Sequence, residues 1–229
     1  MKSPFAPTFP LKKLKIDNTT IFYEDSLDNL LSYFSKSKAK DFINLLHEAQ
    51  THPKKAYKEA LSWKEHHPNN PLLDNLLTFL HLHNRETKQG EALILESYHQ
   101  YPNYLFAKIN YADQCLRFKK PQQIPQIFPS FDLSQLFPNK THFHVSEFRG
   151  FMIVISRYYS LIGNKTLARE FYQKAYLADP AHPTLILLEK ELFSQNYLYK
   201  SLLLFLKFFR LCYALFIKAW GKNFKTSFP

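Results

Sequence analysis

The stretch LAREFYQKAYLADP, Leu167 to Pro180, decides how this sequence is read. Ala168, Phe171, Tyr172 and Ala175 recur at the i, i+3, i+4, i+7 spacing of one helical face. Pro180 closes the run, because proline cannot continue a helix. Just before it, Arg149–Asn164 carries a second helical pattern that stops at Gly163, a residue that readily takes a left-handed turn. Two helices with a short link are the expected local structure. Small residues at Ser156, Ala168 and Ala175 let them approach, while Tyr159 and Tyr172 fill the space between them.

Working outward, prolines follow helical runs at Pro68 in WKEHHP, Pro102 in SYHQYP and Pro180 in YLADP. The first two are 34 residues apart, and the second and third 78, which is two such periods and ten residues more. A 34-residue period of helix–turn–helix is that of the tetratricopeptide repeat. The chain resembles that family at Ile155, Ser156, Tyr159, Gly163, Ala168, Tyr172, Ala175 and Pro180. The unit Pro71–Pro102 is a weaker match, through Leu77, Thr78, Gly90, Ile94, Ser97 and Pro102. About 37–68 retains Ala56 and Pro68 but has Trp63 where a small residue belongs. After Pro102, the residues Phe106, Ile109, Ala112, Cys115 and Leu116 form one stripe, but Pro121 and Pro125 damage the helix that should follow.

The resemblance implies an all-α fold: an α-solenoid of degenerate tetratricopeptide-like helix-turn-helix repeats over 37–195, with a C-terminal amphipathic helix. A basic N-terminal arm with a short helix precedes it over 1–36, a Phe/Pro-rich insertion interrupts it at 127–144, and a basic apolar helix and tail occupy 196–229. The alternative is a helical bundle that happens to hold one repeat-like hairpin. In the family, a concave surface lined by first helices binds peptides or partner helices. The matching inward positions here are Leu72, Asn75, Phe79 and Leu82, then Phe106, Ile109, Asn110, Asp113 and Arg117, then Ile153, Val154 and Arg157. Phe79 stands where a carboxylate-clamping member would place Asn, which disfavours capture of a chaperone's C-terminal tail.

Composition agrees with helices. The 229 residues are 45% hydrophobic, enough for a core, and hold 4 Gly against 14 Pro, which disfavours glycine-rich phosphate loops and turn-rich β folds. Cys115 and Cys212 lie inside apolar helical patterns and read as buried thiols, which fits a cytoplasmic setting. The N-terminus has no apolar core of a secretory signal. The net charge of +11 is uneven. Residues 1–16 contribute four lysines and 192–229 six basic residues, both without an acid, leaving 20 basic against 19 acidic residues between them. A near-neutral body gives no sign of a nucleic-acid groove.

The segment Asn196–Lys225 sets Lys200, Lys207, Arg210, Lys218 and Lys222 within an arc of about 120° on a helix, with Leu, Phe, Ile, Tyr and Trp220 elsewhere. Three roles stay open: docking on the protein, lying in an anionic membrane surface, or spanning a bilayer. Spanning is disfavoured, because Lys207 and Arg210 sit mid-segment at about 2.5–3.5 kcal/mol each.

Chemistry-bearing motifs are sparse. His81 and His83 face different sides of a helix, and His142 and His144 have no Cys or carboxylate cluster beside them. Glu86, Glu91, Glu189 and Glu191 read as solvated surface charges. There is no phosphate loop, dinucleotide fingerprint, serine elbow or HExxH pattern, so neither catalysis nor a cofactor or metal is expected. A protein–protein adaptor or scaffold, of the kind a chaperone or assembly factor provides, is the leading expectation, and a peripheral membrane protein anchored by its C-terminal helix is the alternative.

Overall fold

Among the described residues, four helix pairs follow one another along the chain, the third with its second member cut short. In a computed structural model describing residues 13–23 and 30–192, α1 is Lys36–Thr51 and α2 Pro53–His66. Then come α3 Pro71–His83 and α4 Thr87–Gln100. Helix α5, Leu105–Arg117, is followed by a 3-10 turn, Pro121–Gln123, that runs into the single turn α6, Ile124–Ile127. The short α7, Leu133–Leu136, precedes α8 Val145–Leu161 and α9 Lys165–Ala178. The starts at 53, 87, 121 and 165 are thus spaced by 34, 34 and 44 residues. The chain is helical again over 183–192.

Three of the turns that reverse the chain within helix pairs share one geometry, while α1 passes to α2 through His52 at φ -133°. Arg85, Lys119 and Gly163 have φ of 66°, 59° and 84°. The amide of the next residue reaches back five residues each time: Glu86 to His81 at 2.9 Å, Lys120 to Cys115 at 2.9 Å, and Asn164 to Tyr159 at 2.8 Å. The left-handed residue's own amide bonds three residues back, to Leu82, Leu116 and Ser160. This pair of bonds satisfies carbonyls that a helix end leaves open. Only Gly163 announces such a turn in the sequence. After Lys120, the prolines Pro121 and Pro125 stop what should be a full helix at seven residues.

Packing follows the small residues. Ala39, Ala49, Ala56 and Ala60 are buried between α1 and α2, with Phe42, Leu45 and the α3 leucines closing the cluster. Trp63 fits in the first pair because Phe34 and Phe42 receive its ring, at 5.4 and 5.8 Å between centroids. Ser156 donates from Oγ to the Ala168 carbonyl at 2.7 Å, tying α8 to α9. First helices also meet each other: Asn110 Nδ2 donates to Asn75 Oδ1 at 2.9 Å, and Arg157 pairs with Asp113 at 2.6 Å.

The fold is mostly helical, consistent with an all-α fold, and it also carries a small sheet. Strands β1 Lys13–Ile16 and β2 Thr19–Phe22 form an antiparallel hairpin, with Lys13 opposite Phe22 and Ile16 opposite Thr19. β3, His142–His144, pairs parallel to β2. Part of the segment expected as a basic arm is therefore strand. Asp17, at φ 50°, makes the tight turn that Asp and Asn tolerate best after Gly. Ile16 and Ile21 face inward, Lys174 pairs with Asp17 at 2.9 Å, and the Tyr23 hydroxyl donates to the Ala178 carbonyl at 2.7 Å. The Phe-rich insertion contributes to the core: Phe128, Leu133 and Phe143 are buried, and Phe128 meets Phe151 edge-on at 5.0 Å.

The chain divides into two compact units, Met1–Leu185 and Ile186–Pro229. Of the second, the described residues 186–192 are helical.

Candidate partner-binding groove

A groove of about 1350 Å³ runs over one side of the first unit. Its floor is α1 and α3, through Phe42, Ile43, Leu46, Leu72, Asn75 and Phe79. One wall is the loop from Tyr101 to Tyr104 with the first turn of α5. The other comes from Tyr23, Tyr33, Phe137, Lys140 and the first turn of α8.

Local chemistry explains each part. Asn70 caps α3 by accepting from the Leu72 amide at 3.0 Å, and Pro71 occupies a first-turn position whose missing N–H costs nothing. α8 starts at Val145, four residues before the sequence pattern at Arg149. Its cap is His144, whose Nδ1 accepts from the Ser146 amide at 3.3 Å, while Glu147 Oε2 accepts from the His144 amide at 3.0 Å. Histidine is not among the usual capping residues, so the sequence conceals this start.

Asp74, beneath the floor, is 1% exposed. It pairs with Lys64 and accepts from the Tyr101 hydroxyl at 3.0 Å, which fixes the Tyr101 ring at the groove edge. Burial, then the Asp74 charge, pushes the Tyr101 phenol well up. Burial, helped by Glu147, does the same for Tyr104 and raises the Tyr33 phenol. These tyrosines are neutral hydrogen-bonding groups at ordinary pH. Lys140 pairs with Glu147 at 2.6 Å, and Arg149 pairs with Asp179. Burial and then Arg149 push the His182 imidazole down, toward its neutral form. The groove is therefore aromatic and amide-rich, with its lysine and arginine already matched by carboxylates.

The expected inward residues divide into two sets. Asn75, Phe79 and Phe106 line the groove. Phe79 is 43% exposed there, large for a phenylalanine with no structural task. Asn110 lies beneath, bonded to Asn75 and lining a small cavity of about 10 Å³ with Thr78 and Ser97. Leu82 is half-exposed away from the groove and lies against Gly90, where a Cβ would come within 2.9 Å of it. Asp113, Arg117 and Arg157 form a ladder instead: Arg117 bonds Asp113 at 3.3 Å and Glu91 at 3.1 Å, and Asp113 bonds Arg157. Ile109, Ile153 and Val154 are core. Glu91 thus has a partner, as does Glu86, which meets His81 Nδ1 at 2.7 Å. Lys200, Lys207, Arg210, Lys218 and Trp220 lie outside the described residues, as does Cys212; Cys115 is buried.

The loop tyrosines and the α8 residues were missed, because helical periodicity reports on helices alone. The one local signal was YPNY, Tyr101 to Tyr104, an aromatic-flanked Pro-Asn turn.

Among the described residues no three His, Cys, Asp or Glu side chains gather to hold a metal. None of the described helices is long and apolar enough to cross a membrane. Comparison with protein-family models, curated proteins and solved structures found no match.

Proposed function

We propose that this protein is a non-enzymatic adaptor, built as a tetratricopeptide-like solenoid, that holds a partner segment in the groove between its first helices. The groove carries this reading: about 1350 Å³ lined by eight tyrosine and phenylalanine rings, with Phe79 and Phe106 presented from successive first helices. Its volume exceeds the usual range of about 300–1,000 Å³ for small-molecule pockets, which suits a polypeptide. The 34-residue recurrence of helix starts and left-handed turns supports the repeat, since a solenoid leaves such a face open.

The test is a photo-crosslinking residue at position 79, with a control at exposed Leu177 outside the groove. Discrete partner adducts at 79, absent at 177 and lost on adding Asn75→Arg, are expected. The same adducts at both positions would end the adaptor reading.

A second reading rests on the acid-free, six-cation segment 192–229. We infer a membrane-surface anchor there, since each basic residue near anionic lipid contributes about 1 kcal/mol. Salt-sensitive co-sedimentation with anionic but not neutral vesicles is its signature. Equal recovery with both kinds of vesicle would reject it.

A further inference from the structure

We propose that the groove's own ligand is a segment of this chain, Pro4–Pro10, with the sequence PFAPTFP. This rests on reading the groove as a polypeptide site and adds what occupies it before a partner does.

Three observations converge. The groove's charges are matched internally, Lys140 by Glu147 and Arg149 by Asp179. A charged ligand would be desolvated there without a counter-charge, so a neutral one fits better. PFAPTFP has no charge.

The walls suit proline. Tyr23, Tyr33, Phe79, Tyr104, Phe106 and Phe137 present aromatic rings. Aromatic-lined grooves take proline-spaced segments, whose restricted backbone loses little entropy on binding. Prolines at 4, 7 and 10 match the three residues per turn of a polyproline II helix, which aligns them along one edge. Phe5 and Phe9 supply the large apolar side chains.

Position completes the argument. Lys13 opens β1 opposite Phe22, and the next residue of that strand's chain, Tyr23, lines the groove. Lys13, where β1 begins, is therefore paired with the neighbour of a groove-lining residue. Only Leu11 and Lys12 separate Pro10 from Lys13, a span of at most about 10 Å. A ligand tethered so closely acts at an effective concentration in the millimolar range, so an outside partner must outcompete it.

The experiment uses the full chain and a fluorescent synthetic peptide of residues 1–12. It compares the wild type with a variant carrying Pro4→Ala, Phe5→Ala, Pro7→Ala, Phe9→Ala and Pro10→Ala. The disabled chain should bind the peptide at least about tenfold more tightly than the wild type. Asn75→Arg, or Phe79→Ala with Phe106→Ala, should abolish that binding while circular dichroism and melting show a folded protein. A crosslinker at position 79 of the wild type should join to residues 4–10 within the same chain. Equal affinity for both chains, no binding to either, or binding that survives the groove substitutions would overturn the proposal. A charged amphipathic-helix peptide that binds where the proline peptide does not would also overturn it, and would leave the adaptor reading standing. If the adaptor reading itself is at fault, position 79 yields no adduct to another protein even in the disabled chain.

Discussion

Asp74→Ala should destabilise the protein by about 2–4 kcal/mol, although the residue lies on no surface. Its carboxylate is 1% exposed, pairs with Lys64 and accepts from the Tyr101 hydroxyl at 3.0 Å. Removing one partner of a fully buried pair costs about 3–5 kcal/mol. Here Lys64 keeps 28% of its side chain exposed and can turn to water, which lowers that figure. The Tyr101 hydroxyl has less freedom, and a buried donor without an acceptor costs about 1–3 kcal/mol. An acidic residue in the first turn of α3 adds about 0.3–1 kcal/mol through the helix dipole. The midpoint should then fall by about 4–16 °C, at about 2–4 °C per kcal/mol for a chain of this size. Thermal melts and urea titrations measure it. Tyr101→Phe should cost less, about 1–2 kcal/mol, and the double variant should cost less than the two single losses added together. A single-variant loss below about 0.5 kcal/mol, or strict additivity in the cycle, would refute the buried Asp74–Tyr101 link.

Four further outcomes follow from other contacts. Ser97 is buried in α4 with no protein partner for its Oγ, so Ser97→Ala should hold or raise the melting midpoint, and a loss above about 1 kcal/mol would contradict it. Gly163 sits at φ 84° in open space, so Gly163→Ala should cost about 1–2 kcal/mol from backbone strain alone, whereas Lys119→Gly, at φ 59°, should raise the midpoint. Phe128→Ala should cost about 3–5 kcal/mol in urea titration, as for any fully buried phenylalanine, and a loss under 1 kcal/mol would return the insertion to loop status. The His182 pKa is lowered by burial and then by Arg149, so the unfolded chain binds its proton first. Its stability contribution is complete above an unfolded pKa of about 6.5 and shrinks as pH falls toward the lower folded value. Melts of His182→Gln should show a smaller midpoint drop from pH 8 to pH 5.5 than the wild type, and an equal drop would refute this.

The sequence made the helix pairs legible because prolines mark helix ends and small residues mark close approach. Pro68, Pro102 and Pro180 located three pair boundaries, and Ala168 and Ala175 located the α8–α9 contact. The turns were legible only at Gly163, since Arg85 and Lys119 take left-handed backbone at a modest cost that no residue type reveals. Asn75, Phe79 and Phe106 were legible as one set because the helical part of the groove lining obeys the period of its helices. The groove walls were not, because Tyr101, Tyr104 and Glu147 arrive from loops and a concealed helix start. Asp113, Arg117 and Arg157 looked like ligand contacts because 44 residues separate Asp113 from Arg157 and nothing local pairs them. The hairpin at Lys13–Phe22 had a usable signal, Asp17-Asn18 between short apolar alternations, but its partner strand lies some 120 residues away.

The ten extra residues between the third and fourth helix pairs explain why an interrupted pattern still folds. Prolines 121 and 125 leave α5 with seven helical residues after it, where the other pairs have fourteen. A missing helix would bare the apolar faces of α5 and α8 between Ile109, Cys115, Phe148 and Phe151. The insertion restores that cover with bulk rather than with a helix: Ile124 and Ile127 in the truncated turns, then Phe128, Leu133 and Phe143, all at most 2% exposed. Placing Phe143 on β3 commits the chain to a strand, and the strand needs a hydrogen-bonding neighbour, which the Lys13–Phe22 hairpin provides. The sheet thus joins the insertion to the hairpin. It also brings Tyr23, the residue after β2, to the lining of the groove, so the sheet contributes to one of its walls.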